Sequence, residues 1–125
     1  MSEDKRPIFA TMKAQLAKDI NDGSETTKGN DLICEGNHYF DPENCGIGFH
    51  GDAERRKVIC VCLGTSTTIV WQWYKNSKPI ENSRTEIKLN HGDMYIMSEK
   101  AVGYDWRSRN FHTLRHSAGC NKYTK

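Results

Sequence analysis

Apolar residues recur along this chain with two different periods, one near its start and another further on. Phe9, Met12, Leu16 and Ile20 follow one another at intervals of three or four residues, which is the spacing of one face of a helix. Pro7 suits the first turn of such a helix. The pattern predicts a helix from Pro7 to Ile20 whose apolar face packs on the outside of a sheet.

Short apolar segments separated by turn residues follow this helix. Segments of this kind, rich in β-branched and aromatic residues, are typical of strands. They predict strands at 32–39, 46–50, 57–63, 69–74, 85–89, 94–97 and 111–116, with a hairpin turn at 76–79. One helix followed by many short strands favours a mostly β fold, and among such folds the double-stranded β-helix or jelly roll.

The length of 125 residues fits a single domain with one core. We expect residues 1–30 to form the helix and a connector, 31–119 the catalytic core and 120–125 a tail. Because no apolar run could cross a membrane and no apolar leader follows Met1, we expect an intracellular protein, cytoplasmic or nuclear. We also expect it to be a monomer. The five cysteines lack zinc-like spacing, which favours reduced thiols.

His50 and Asp52 stand two residues apart at the end of a predicted strand. Side chains at such positions project from the same face of a strand, so both can reach one metal ion. An imidazole and a carboxylate are two of the three protein ligands in the facial triad that binds non-heme Fe(II). The sequence therefore predicts a catalytic metal site at His50 and Asp52.

Four segments, taken in order, resemble motifs of the AlkB-like, 2-oxoglutarate-dependent dioxygenases. They are N-H-Y at 37–39, I-G-F-H-G-D-A-E-R at 47–55, L-N-H-G-D-M-Y-I-M at 89–97 and R-N-F-H-T-L-R at 109–115. The resemblance spans about residues 31–119. Four motifs in register are far more specific than a lone His-x-Asp pair.

This resemblance implies an enzyme that uses Fe(II) and 2-oxoglutarate to dealkylate or hydroxylate nucleobases in DNA or RNA. Asn37, Tyr39 and Arg109 would hold the distal carboxylate of 2-oxoglutarate, and Arg115 would lie near its ketoacid end and Asp52. Arginine suits this role because its planar fork matches a carboxylate. The expected partner is a single-stranded nucleic acid or a flipped base, with a protein partner as a further source of substrate recognition.

The family's second histidine ligand is missing from its usual place, where this chain reads V-G-Y-D-W-R-S-R at 102–109. Asp105 is the first candidate to replace it, provided that an odd-numbered turn pairs it opposite Phe111 on the Arg115 face. An even-numbered turn would pair it with His112 and make it structural. His112 and His116 lie opposite Arg115 by parity, which favours solvated or core roles for both.

Two other functions compete with this interpretation. One is a non-catalytic binding module that keeps the jelly roll but has lost turnover. The other is an oxygenase of a peptide side chain or a 5-methylpyrimidine. Trp71 and Trp73 alternate on one strand, which favours core positions over stacking on an extruded base.

Basic residues form two local clusters although the formal net charge is only +2. The first follows the His-x-Asp pair and the second lies near the C-terminus. They comprise Arg55, Arg56 and Lys57 in one case and Arg107, Arg109, Arg115, Lys122 and Lys125 in the other. Such clusters bind phosphates in some proteins and form solvated charged faces in others.

Overall fold

The structure is a computed structural model that describes residues 7–22 and 29–125. These residues fall into two compact units, and the division lies between His38 and Tyr39. The sequence predicted one domain whose core begins at residue 31, so the observed division comes later in the chain. Among the described residues, no helix is both long enough and apolar enough to cross a membrane.

The first unit contains helix α1, Pro7–Asn21, which confirms the predicted helix to within one residue at its end. The Asn21 side chain accepts a hydrogen bond from the Gly29 backbone at 3.1 Å and donates one to the Asn30 side chain at 2.7 Å. Residues 32–39 form no strand. That prediction was wrong because an apolar segment becomes a strand only where a neighbour completes its backbone hydrogen bonds, and Ile33 is left 90% exposed.

The second unit is mostly β, as the sequence predicted. Its elements are β1 (Gly46–His50), β2 (Val58–Val61), β3 (Thr67–Lys75), β4 (Lys78–Leu89), β5 (Met94–Met97), α2 (Glu99–Val102), β6 (Thr113–Gly119) and α3 (Asn121–Thr124). β1 and β5 have the predicted bounds, whereas β4 begins earlier and β6 later than predicted. The two short helices were not predicted.

The strands form two antiparallel sheets, a larger one in the order β1-β6-β3-β4 and a smaller one of β2 and β5. The chain passes from the larger sheet to the smaller and back twice, through β2 and again through β5. The Trp71 ring of β3 meets the Tyr95 ring of β5 edge to face, with centroids 6.2 Å apart. The two sheets therefore contact each other through this aromatic pair.

The hairpin between β3 and β4 closes through a two-residue turn at Asn76 and Ser77. Both residues have positive φ, 52° and 61°, and Lys75 pairs with Lys78 across them. Two consecutive positive φ values define the turn type that matches the twist of paired strands. The sequence prediction of a hairpin turn here is confirmed.

The core of the second unit centres on β3, which lies between β6 and β4. Val70 on this strand is fully buried, and so is Val102 at the end of α2. Ile69, Leu89 and Met97 complete the buried apolar set. The larger sheet is consequently anchored at its middle, where β3 contacts both neighbours.

Replacement of Val70 by alanine should lower the free energy of unfolding by about 2–3 kcal/mol, because two buried methyl groups are lost and a cavity remains. Urea unfolding followed by circular dichroism measures this change. Ile96→Ala is the control, since Ile96 is 64% exposed, and it should cost less than about 1 kcal/mol. Equal losses in the two variants would contradict a core centred on β3.

Candidate metal centre

Three side chains with metal-binding atoms converge at the edge of the larger sheet where β1 pairs with β6. His50 Nε2 lies 3.6 Å from Asp52 Oδ1, and His116 Nε2 lies 3.6 Å from Asp52 Oδ2. The two imidazole rings have centroids 4.4 Å apart. All three ligand atoms lie within 4.8 Å of one another. Two imidazoles and one carboxylate thus surround a common point.

The pairing of β1 with β6 brings the two histidines together. His50 is the register partner of His116, and a bulge or irregularity interrupts the ladder between Ile47 and His50. A bulge changes the direction in which the following side chains point. Because directly opposed residues in an antiparallel pair share one face of the sheet, the two imidazoles project to the same side.

Asp52 follows the end of β1, and backbone contacts fix its position. Its N–H donates to the Val102 carbonyl at 3.0 Å, and its own carbonyl accepts from the Arg55 N–H at 3.2 Å. Gly51, which precedes it, is buried, and a Cβ there would collide with the Gly103 carbonyl and the Trp106 ring. The loop that carries Asp52 is therefore packed directly against the turn that follows α2.

The tautomer of His50 follows from its second ring nitrogen. His50 Nδ1 lies 2.8 Å from the Gly48 carbonyl, which can only accept a hydrogen bond, so Nδ1 carries the proton. Nε2 is then the ring nitrogen that faces Asp52. This arrangement, with a carbonyl behind the ligand ring, is how proteins orient histidines that bind metals.

His116 is only 6% exposed. Burial lowers the pKa of His116 to about 4, and the nearby His50 acts in the same direction, while Asp52 opposes the shift. The ring is therefore neutral at physiological pH. A neutral imidazole has the free lone pair that coordination requires.

The observed spacing fits a single divalent ion. Two ligand atoms about 2.1 Å from a common ion lie about 3.0 Å apart at the right angle of a facial triad and about 3.4 Å apart at a tetrahedral angle, and the 3.6 Å separations at Asp52 are slightly longer than both. Two histidines and one carboxylate form the facial triad of non-heme Fe(II) proteins, which leaves open coordination positions. The donor set thus suits Fe(II), and Mn(II) can replace it as a probe.

Asp105 is not brought to this cluster. Its carboxylate accepts from Lys100 Nζ at 2.6 Å, and residues 103–107 form a turn rather than a strand. Asp105 therefore lies on no strand, and neither the pairing with Phe111 nor the pairing with His112 that the sequence suggested is formed. Asp105 holds the turn after α2, while His116 occupies the third position of the cluster.

Arg109 and Arg115 also lie apart from the cluster. Arg109 is exposed in the segment before β6, so it shares no strand face with Arg115. Arg115 and His116 are adjacent on β6 and project to opposite faces. The Arg115 guanidinium lies 4.2 Å from the Tyr74 ring centroid and 5.1 Å from that of Trp106.

The two residues of the predicted N-x-Y motif lie in different units. Asn37 is exposed in the first unit, and its predicted role at the cosubstrate stays a prediction. Tyr39 begins the second unit. Burial raises the pKa of Tyr39, and Cys60 and Cys45 act on its hydroxyl in the same direction. Tyr39 therefore lies on the side of the smaller sheet that carries Cys60.

The sequence did contain a signal for His116. Leu114 and Ala118 stand two residues before and after it, and alternate residues share a strand face. An apolar residue on each side places His116 on an inward face. The predicted role of Arg115 outweighed this signal, because only one of two adjacent residues can face the site.

A cavity of about 210 Å³ lies on the same face of the larger sheet as His116. Trp71 is the register partner of His116, and Trp73 is that of Leu114. Trp71 Nε1 donates to the Ala101 carbonyl at 3.2 Å, which fixes the plane of its ring. The lining residues are Trp71, Trp73, Ser83, Thr85, Ala101 and Leu114.

Comparison with known proteins gives one informative relative. The chain is 52% identical to an uncharacterized protein of Acanthamoeba polyphaga mimivirus over an alignment of 130 residues. The alignment covers 97% of this chain and 51% of the relative, so the chain spans about half of that protein's length. No family model and no solved structure matches the chain.

The metal centre predicts a clear difference between His116 and Asp105. His116→Ala should weaken Mn(II) binding at least about a hundredfold, since even residues that only orient a ligand contribute up to that much. Asp105→Asn should leave the affinity within about twofold of the parent. Isothermal titration calorimetry with Mn(II) measures both. Greater loss in Asp105→Asn than in His116→Ala would assign the third ligand to Asp105.

Protonation of His116 should destabilise the metal-free protein. Because the pKa falls from 6.5 to about 4 on folding, the unfolded chain binds the proton more tightly, and stability is lost as pH drops through this range. The loss should approach about 3 kcal/mol by pH 4.

Urea unfolding in a chelator, from pH 7.5 down to 4.5, tests this linkage. Other acidic groups contribute to acid unfolding, so the informative quantity is the difference between the parent and His116→Gln. That difference should shrink as the pH falls below 6.5. A difference that stays constant with pH would mean that the folded protein does not disfavour protonation of His116.

Proposed function

We propose that this protein is an AlkB-like Fe(II)- and 2-oxoglutarate-dependent dioxygenase that oxidises nucleobases. The observation that carries the proposal is the convergence of His50, Asp52 and His116 on one point. The resemblance supplied the first two residues, and the fold brings a third donor of the required type beside them. The alternative of a binding module without turnover was favoured by the missing third ligand. His116 supplies a third donor, so that argument for the binding module no longer applies.

The proposed fold is a jelly roll with the metal between its sheets. Support comes from the repeated passage of the chain between the two sheets and from the Trp71–Tyr95 contact across them. In such a fold, the inner faces enclose a ligand. His116 and the cavity beside Trp71 both lie on the inner face of the larger sheet.

Bound Fe(II) and 2-oxoglutarate would supply oxidation of a substrate C–H bond by dioxygen, balanced by decarboxylation of the ketoacid to succinate. The side chains of this protein would hold and orient the reactants. His50 is held by the Gly48 carbonyl, and His116 is held neutral by burial. Asp52 contributes the negative charge that offsets part of the charge of the ion.

The cavity suits a small planar group. Its volume of about 210 Å³ is below the range of about 300–1,000 Å³ that is usual for larger ligands. The Trp71 and Trp73 side chains provide aromatic surface, and aromatic rings bind bases by stacking. We assign this cavity to the group that is oxidised. A hydroxylated N-methyl group would then leave as formaldehyde and release the free base.

A dicarboxylate cosubstrate needs a positively charged side chain near the metal centre to pair with its free carboxylate. The charge of Arg55 lowers the pKa of His116 and opposes the burial that raises the pKa of Cys60. Arg55 therefore lies close enough to the centre to act on both. We assign carboxylate pairing to Arg55 in place of Arg109 and Arg115, with Tyr39 on the same side. Arg55 would exchange its present contact with Glu54, at 3.8 Å, for the cosubstrate.

Succinate formation tests the proposal. The parent protein with Fe(II), 2-oxoglutarate and dioxygen should form succinate, and methylated oligonucleotides should increase the rate. His116→Ala should abolish this turnover, because only two protein ligands remain. Arg55→Ala should raise the 2-oxoglutarate concentration needed for half of the maximal rate.

Asp105→Asn is the matched control and should turn over like the parent. Mass spectrometry of the oligonucleotides would identify the base that loses a methyl group. Succinate formed on peptides but on no nucleic acid would redirect the proposal to a different substrate. A protein that binds Mn(II) but forms no succinate with any substrate would favour the binding module.

A further inference from the structure

The arginines of the second unit divide into two groups according to whether a carboxylate lies beside them. Arg55, Arg56 and Arg84 each pair with a glutamate. Arg107, Arg109 and Arg115 have no carboxylate partner within residues 7–22 and 29–125. The unpaired arginines all lie in the turn before β6 or on β6 itself.

Two of the unpaired arginines are stacked on aromatic rings. The Arg115 guanidinium lies between the rings of Tyr74 and Trp106, 4.2 and 5.1 Å from their centroids. Arg107 contacts the same Trp106 ring at 5.1 Å. Such contacts hold a guanidinium in place while leaving its N–H groups able to donate.

Lys75 and Arg109 extend this group along the surface. Lys75 follows Tyr74 in sequence, and its Nζ donates to the Asn110 carbonyl at 2.7 Å. Arg109 precedes Asn110 and is exposed. We call Lys75, Arg107, Arg109 and Arg115 the cationic patch.

Hydrogen-bond donors outnumber acceptors around the cationic patch. The nearest carboxylate in sequence, Asp105, is already paired with Lys100 at 2.6 Å. Arg115 Nε and Trp106 Nε1 are both buried without an acceptor, against one buried acceptor in this segment that has no donor, Asp105 Oδ1. A surface with this imbalance attracts an anion, since unpaired donors and cations both favour oxygen ligands of negative charge.

The cationic patch adjoins the metal centre. The Trp106 ring, which carries two of its arginines, packs against Gly51, and Gly51 lies between the metal-binding residues His50 and Asp52. An anion bound at Trp106 would consequently lie beside the Gly51 loop, although Arg115 itself projects from the face of β6 opposite to His116.

We propose that the cationic patch binds the phosphodiester backbone of a single-stranded nucleic acid whose base enters the metal centre. Lysine and arginine contacts to phosphates position a strand without reading its sequence. A single strand fits because a base must leave the stack before it can be oxidised. This inference rests on the proposed function for the reaction itself, but binding can be measured without turnover.

Fluorescence anisotropy with a labelled single-stranded oligonucleotide tests the patch. The protein is loaded with Mn(II) and kept free of 2-oxoglutarate. Each phosphate contact in a single strand contributes about fivefold at 0.1 M salt, so Arg107→Ala with Arg109→Ala should weaken binding about 25-fold. The slope of log affinity against log salt should fall in magnitude by about 1.4. Arg107→Lys with Arg109→Lys should retain most of the affinity.

Lys57→Ala with Lys88→Ala is the control, because it removes the same charge from two exposed lysines outside the patch. This variant should bind within about threefold of the parent. An equal loss in control and patch variants would overturn the inference, since any positive charge would then serve. It would also be overturned if an acidic peptide of equal charge bound as tightly as the oligonucleotide.

The two proposals can fail separately. If the parent forms succinate but the patch variant binds oligonucleotide as the parent does, the cationic patch is not the binding surface and the reaction stands. If the patch variant loses binding but the parent forms no succinate, the binding surface stands and the proposed reaction fails. Circular dichroism and Mn(II) affinity should be unchanged in the patch variant, and a change in either would assign its effect to folding.

Discussion

The candidate metal centre depends on the register between two antiparallel strands. His50 on β1 lies opposite His116 on β6, and a slip of one residue would turn one imidazole to the other face of the sheet. β1 is an edge strand, whereas β6 also pairs with β3 from Thr113 to Ala118. The larger sheet therefore fixes the position of one ligand, and β1 brings the other two to it.

Local patterns in the sequence predicted the structural elements that depend only on residues close together in the chain. α1, β1, β5 and the β3–β4 turn follow from residue spacing and turn chemistry, and the structure has all four. The proximity of His50 and Asp52 was also a local expectation. The irregular segment over 32–39 was missed because strand formation depends on a distant partner, and no local pattern reports whether one is present.

The third position of the cluster is a long-range feature, and reasoning from the resemblance led away from it. Placing Arg115 at the site excluded His116 by parity, and it left Asp105 as the remaining donor. The structure instead pairs Asp105 with Lys100 and stacks Arg115 between two rings. Parity was a sound argument, and in the structure it places His116 rather than Arg115 on the face of the cluster. The apolar neighbours Leu114 and Ala118 were the better guide.

Gly51 makes no bond to the proposed metal, yet its position is as constrained as those of the ligands. A side chain there would meet the Gly103 carbonyl and Trp106 and would displace the backbone that carries Asp52. The tolerance of this loop to substitution is thus set from outside the coordination sphere, by the turn that packs against it. A substitution at Gly51, Gly103 or Trp106 could therefore displace Asp52 while leaving all three candidate ligands unchanged in sequence.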